Sequence, residues 1–196
     1  MKNILVVSAH PDDLEMSCGG TVAKMIRKGN RVINLVMYPD VEHVEHLPQS
    51  SSILGFETLL YKSTERVQIN NLVVAKVESM LVDFKPDIII THWKEDWHQD
   101  HRACHELGNI IARRQPVDLW YMSSYPYNLK YKEFSPDLYI RLAWGDIDKK
   151  YEALEQYQNL SPIWLEGVSS HDHWRGSYLN ADTAGAEVFK IGNMVK

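Results

Sequence analysis

Residues 3–8 read NILVVS and residues 31–37 read RVINLVM, two short, unbroken runs of mostly branched apolar residues with no polar face. A strand of this kind has to be covered on both sides, which points to a parallel sheet between helices. Between the runs, TVAKMIRKGN follows the glycine pair Gly19-Gly20 with helical spacing and stops at Gly29-Asn30, a C-cap signal. Strand, helix and strand in this order make a right-handed crossover unit. The pattern continues with a helix over 68–84, a breaker at Lys85-Pro86-Asp87, a buried strand in IIIT, a helix over 102–113, strands over 117–122 and 137–142, and a helix over 146–158. The polar stretch after Met37 reads as a loop with at most a short helix, followed by a strand near 57–61, and SSHDHWRG at 169–176 reads as a loop. The expectation is an α/β fold, a Rossmann-like open and mostly parallel sheet flanked by helices. With 196 residues the chain suits one domain over 1–196.

A formal charge of −5 with scattered Lys and Arg leaves no basic footprint for nucleic acid. No apolar run approaches the roughly eighteen residues of a membrane span. The N-terminus turns acidic where a signal peptide needs a longer apolar region. Cys18 and Cys104 cannot build a disulfide framework and read as buried free thiols in a reducing cytoplasm.

Ligands of open α/β sheets bind beyond the carboxyl ends of strands. Two charged clusters fall there: His10 to Asp13, in AHPDD, directly after the first strand, and His92 to His101, ending in DWHQDH, directly after the run DIIIT. In the first, an imidazole and a carboxylate three positions apart across Pro11 can face one centre. In the second, His98 and His101 can do the same from the first turn of a helix starting near Gln99. Nitrogen and oxygen donors with a position left for water suit catalytic zinc, and iron(II) or cobalt equally. Taken singly, each residue has a plainer explanation: Asp12, Asp13 and Glu15 suit a helix N-terminus, and His98 and His101 suit a polar turn. The four-residue step from His101 to His105 is also a ligand spacing. His43, His46, His92, His171 and His173 read as loop or rim residues.

AHPDD, the following GGT (19–21) and HQDHR (98–102) resemble the LmbE-like and PIG-L-like de-N-acetylases, zinc-dependent amidases acting on N-acetylglucosamine-type groups. FSPDLYI (134–140), KKYEAL (149–154), the Arg175-Gly176 pair and AEVF (186–189) are similar to later elements of that family in the same order. The resemblance implies that His10, Asp13 and His101 bind the metal, Zn2+ or another divalent ion such as Fe2+. It implies that Asp12 is the general base, that His98 stabilises the oxyanion, and that Asp100 holds His98 charged and oriented. Glu15 takes a supporting or capping place. An amide needs an activated nucleophile, a stabilised oxyanion and a proton for its nitrogen, and this set supplies each.

The sequence departs from the family after the second strand, where no arginine stands between Arg31 and Arg66, so recognition of the sugar must be rearranged. Trp97 is the candidate platform for a sugar face, Trp93 reads as core, and Arg175 is the candidate substrate contact near the pocket mouth. The implied activity is removal of an N-acetyl or similar small acyl group from an amino sugar or its nucleotide or glycoside conjugate. The implied partner is that small molecule, with no nucleic acid and no membrane. Six tryptophans in a short chain leave room for a homo-oligomer. Two other classes share parts of this pattern. One is a nucleotide-binding module in which Gly19-Gly20 cradles phosphate, although GxGxxG and GxxxxGK[ST] are absent and acids crowd that point. The other is a metal-holding pseudoenzyme without hydrolysis.

Overall fold

The structure is a computed structural model that describes residues 1–40, 43–61, 68–124, 134–179 and 183–195. Seven strands form one sheet. β1 (Asn3–Ser8), β2 (Arg31–Val36), β3 (Glu57–Leu60), β4 (Ile88–His92) and β5 (Asp118–Met122) are parallel, while β7 (Gly185–Asn193) runs antiparallel between β5 and β6 (Leu138–Leu142). The order is β3-β2-β1-β4-β5-β7-β6, so the chain leaves β1 toward β2 on one side and returns to β4 on the other. That reversal opens a crevice beyond the ends of β1 and β4, the strands that carry the two charged clusters.

The helices are α1 (Asp13–Arg27), α2 (Leu47–Leu54), α3 (Asn71–Met80), α4 (Gln99–Ala112), α5 (Trp144–Leu154) and α6 (Pro162–Ser177). Successive residues of β1 serve opposite cores, as a pleated strand dictates. Leu5 and Val7 pack with Val74 and Val77 of α3 and Leu107 of α4, whereas Ile4 and Val6 pack with Leu14 and Val22 of α1 and Ala153 of α5. Both faces are dry, which explains why the central strands read as continuous apolar runs. Cys18 and Cys104 are buried free thiols, one in each core.

Three expectations are corrected. The first helix starts at Asp13 rather than after the glycine pair, with a break at Cys18, whose φ of −149° is not helical. The segment expected as a loop, residues 169–176, lies inside α6. Its buried stripe is Val168, Asp172 and Gly176, four apart but only one of them apolar, so the periodicity carried no hydrophobic signal. β7 was not expected as a strand at all, although AEVF lies within it.

The break in α1 explains the glycine pair. Past Cys18 the helix restarts, and its exposed amides need acceptors. The Glu187 carboxylate of β7 supplies them, accepting from Gly20 N at 3.0 Å and Thr21 N at 2.6 Å. A Cβ on Gly20 would come within 2.6 Å of Leu142 Cδ1, so only glycine lets β6 approach. Glu187 and Asp172 also hold the fully buried Lys150 ammonium, at 2.8 and 2.6 Å. The amides that a nucleotide phosphate would use are therefore occupied by a carboxylate from the chain itself, against the nucleotide-binding alternative.

Candidate metal centre

The turn His10-Pro11-Asp12-Asp13 joins β1 to α1. Asp13 is buried, and its Oδ2 accepts the backbone N–H of His10 at 2.7 Å, closing the turn. Asp12 stands at the N-cap of α1, yet its side chain makes no capping bond. The plain capping explanation for Asp12 fails on that point, and its half-buried carboxylate is left for other work. Glu15 is buried, held by the Ser50 hydroxyl of α2 and, at 3.1 Å, by the Tyr157 hydroxyl.

From β4 and α4 comes the opposite wall. α4 begins at Gln99 with His98 at its N-cap, as the spacing of His98 and His101 requires. His101 is buried, with Nε2 3.2 Å from Asp13 Oδ1 and Nδ1 3.0 Å from Asp96 Oδ2. The outer carboxylate fixes the ring so that Nε2 faces the centre, the usual support for a ligating imidazole. His10 Nδ1 is 3.5 Å from Asp13 Oδ2, and the ligand atoms of His10, His98 and His101 fall within 4.8 Å of one another. Ligand atoms about 2.0–2.2 Å from one tetrahedral ion are themselves roughly 3.3 Å apart. His10 approaches Asp13 Oδ2 and His101 approaches Asp13 Oδ1 at separations near that spacing, and His101 is shared by both donor groups, His10-His98-His101 and Asp13-His92-His101, so the imidazoles and carboxylate gathered here are of the kind that suits zinc or iron(II).

His92 belongs to the same cluster, which the sequence did not show. It was expected at a rim, but it ends β4, is fully buried, stacks on His101 with ring centroids 4.0 Å apart, and has Nε2 3.2 Å from Asp13 Oδ2. With Asp13 and His101 it forms a second trio of donor atoms within 4.8 Å. Its Nε2 accepts the Ala9 N–H at 3.2 Å and its Nδ1 meets Ser124 Oγ at 3.0 Å. Those two bonds occupy both ring nitrogens, so His92 serves better as a neutral prop beneath Asp13 than as a ligand. A strand-terminal position next to the clustered His98 and His101 was the available signal. His105, the other helical spacing option, instead meets the His92 carbonyl and Asn109.

Asp100 stands between His98, its expected partner, and His10. Its Oδ2 lies 3.5 Å from His10 Nε2 and 3.8 Å from His98 Nδ1, while its backbone N–H donates to His98 Nδ1 at 3.3 Å. A neutral His98 that accepts this bond at Nδ1 carries its proton on Nε2. Burial, then the charges of His101 and His10, lower its pKa against the charges of Asp100 and Asp13, which raise it. Trp97 is 53% exposed beside His98, and Trp93 is buried in a small core with Phe134 and Val188. Arg175 lies on α6, its guanidinium 4.6 Å from the Trp174 ring and its Nε 3.4 Å from His171, and these contacts do not reach the histidine and aspartate cluster.

Charge is distributed unevenly here. Burial, then the Asp13 charge, pushes Asp12 up to about 6. Burial would raise Asp13 too, but the His101 charge outweighs it and holds Asp13 well below the usual carboxylate range. Burial pulls His101 down, but Asp13 and Asp96 outweigh it and push it to about 10.

A pH dependence follows for the metal-free protein. Burial pushes Glu15 up to about 8, so folding favours its protonated form. That stability is complete at low pH and is lost as pH rises through that value. His101, raised in the fold, loses stability in the same direction. Burial lowers His92 and His171 to about 4, so their contribution is complete above the ordinary value of 6.5 and lost only on acidification. Between pH 6.5 and 8.5 the changes therefore share one sign. The thermal midpoint of chelator-treated protein is expected to fall by several degrees, about 3–6 °C, across that window. Glu15→Gln should flatten part of the slope, and a midpoint that holds or rises contradicts the assignment.

Comparison with known proteins adds to this geometry. The family model described as PIG-L, GlcNAc-PI de-N-acetylase, matches residues 5–40. The uncharacterized deacetylase YaiS of Escherichia coli K12 is 26% identical over 135 residues, covering 61% of this chain and 73% of that protein. N,N'-diacetylchitobiose deacetylase from Pyrococcus horikoshii shares the fold with a TM-score of 0.74 at 16% identity, covering 97% of this chain and 83% of that one. GalB, the 4-carboxy-2-hydroxymuconate hydratase of Pseudomonas putida KT2440, does so with a TM-score of 0.84 at 18% identity, covering 100% and 98%. A fold shared by a hydratase and a deacetylase does not by itself name a reaction. Among the described residues no helix is long and apolar enough to cross a membrane. In its N-terminal motif, in its relative YaiS and in its fold, this chain is similar to the LmbE-like and PIG-L-like de-N-acetylases.

Proposed function

We propose that this chain, acting as one domain over residues 1–196, is a metal-dependent N-deacetylase that removes an acetyl or similar small acyl group from an amino sugar or its nucleotide or glycoside conjugate. The observation that carries the reading is Asp13, which stands 3.5 Å from His10 and 3.2 Å from His101 while its neighbour Asp12 keeps an uncapped carboxylate beside them. His10, Asp13 and His101 would hold Zn2+ or Fe2+, and the ion would supply Lewis acidity that makes water nucleophilic near neutral pH.

The chain's own groups do the rest. Asp12, with its pKa raised toward the working pH, takes the proton from the attacking water and returns it to the departing nitrogen. His98, its Nδ1 occupied by the Asp100 amide, presents Nε2–H to the acyl oxygen as negative charge develops there. Asp100 faces the outer edge of His10 and keeps that ring in place. Trp97, exposed at the rim, offers a face to the sugar, and Arg175 a contact for a more distant part of the substrate. Buried free thiols at Cys18 and Cys104 suit a reducing cytoplasm.

Purified protein reconstituted with zinc or iron(II) should hold one ion per chain and release acetate from a member of a panel of N-acetyl amino sugars and their nucleotide conjugates. One ion without release across a broad N-acyl panel would favour a metal-holding protein without hydrolysis. No ion after reconstitution would remove the centre.

A further inference from the structure

We propose that Tyr157 is a positioning residue for the His10-Pro11-Asp12-Asp13 turn, acting through the Pro11 carbonyl. The proline ring locks φ at position 11 and leaves ψ free, and ψ sets the plane of the peptide that carries Asp12. The turn's internal bonds do not settle that plane. The Asp13 N–H reaches the His10 carbonyl at 3.4 Å and the Met16 N–H takes the Asp12 carbonyl at 3.0 Å. The Pro11 carbonyl instead accepts from the Tyr157 hydroxyl at 3.0 Å, a contact across 146 positions of sequence.

Tyr157 is itself well fixed. It lies between α5 and α6 and is 2% exposed, in a small core with Met16, Leu154, Leu160 and Val168. The rings of His43 and His46 stand 6.2 and 6.0 Å from its own. Its hydroxyl is also 3.1 Å from Glu15 Oε1, which the Ser50 hydroxyl holds from the other side. One phenol group thus ties the second half of the chain to the turn that presents two proposed ligands and the proposed base.

The proposal rests on the metal-centre reading of that turn, and the test separates the two. Zinc affinity by competition with a chromophoric chelator, and the visible spectrum of the cobalt(II) form, are measured for the wild type, Tyr157→Phe and Ser50→Ala. Phenylalanine keeps the ring and removes the hydroxyl's contacts with both Pro11 and Glu15, whereas Ser50→Ala disturbs Glu15 and a contact to the Tyr157 hydroxyl but leaves the Tyr157 bond to Pro11 in place. Tyr157→Phe is expected to weaken zinc about tenfold and change the cobalt band intensities, with Ser50→Ala matching the wild type in both. If acetate release is found, kcat should fall in Tyr157→Phe with KM unchanged. Equal zinc affinity and an unchanged cobalt spectrum in Tyr157→Phe would overturn the proposal, as would an equal loss in Ser50→Ala. A wild type that binds no zinc would overturn the metal-centre reading and this proposal together.

Discussion

Asp12→Asn is expected to bind one divalent ion with near wild-type affinity while kcat falls roughly a hundred- to ten-thousand-fold, the range for loss of a general base. The asparagine is isosteric and cannot take a proton. Because the Asp12 side chain makes no capping bond, its replacement leaves α1 undisturbed, and the thermal midpoint should move by no more than about a degree or two. His101→Ala is the contrasting variant. It removes the imidazole that sits between Asp13 and Asp96, so two buried carboxylates lose the cation that offsets them. Metal affinity should drop by more than the roughly 10- to 100-fold typical of a lost supporting group, and activity should go with it. Metal content by elemental analysis and turnover on the same samples separate the two effects. Full activity in Asp12→Asn would remove the base assignment, and retained stoichiometric metal in His101→Ala would remove that ligand.

Lys150→Met should be the most destabilising single change outside the centre. The ammonium is completely buried between Asp172 and Glu187, and its loss leaves two carboxylates facing each other with no counter-charge. Breaking a buried ion pair from one side typically costs about 3–5 kcal/mol. For a chain of this size that lowers the midpoint by on the order of 10 °C. Glu187 would remain held by the amides of Gly20 and Thr21, so Asp172 is the group that takes up a proton. Adding Asp172→Asn to Lys150→Met should therefore recover part of the loss. Thermal denaturation at pH 7 decides it: a drop under about 2 °C in the single variant would show that the triad contributes little.

The parallel core was legible because its physics is local. Ile4 to Val7 and Ile88 to Ile90 are buried on both faces and say so in an unbroken apolar spelling. The two charged clusters were legible for a related reason, since short-range spacing put His10 with Asp13 and His98 with His101. His92 was not, because its place depends on pairing across strands: β4 lies beside β1, which carries it under the turn that follows β1. α6 was hidden because its buried stripe includes Asp172 and Gly176, whose partners Lys150 and Gly185 lie on other elements. The orientation of Asp100 toward His10 is likewise a matter of tertiary placement, beyond what a four-residue motif encodes.

The carboxylate that caps the restarted half of α1 has a consequence for the order of assembly. Glu187 is translated long after the turn bearing His10 and Asp13, with β2 to β6 between them. Until β7 slots between β5 and β6, the amides of Gly20 and Thr21 have no acceptor and Lys150 has only one of its two acids. The nascent chain thus carries its charged motif well before β7 completes the scaffold behind it.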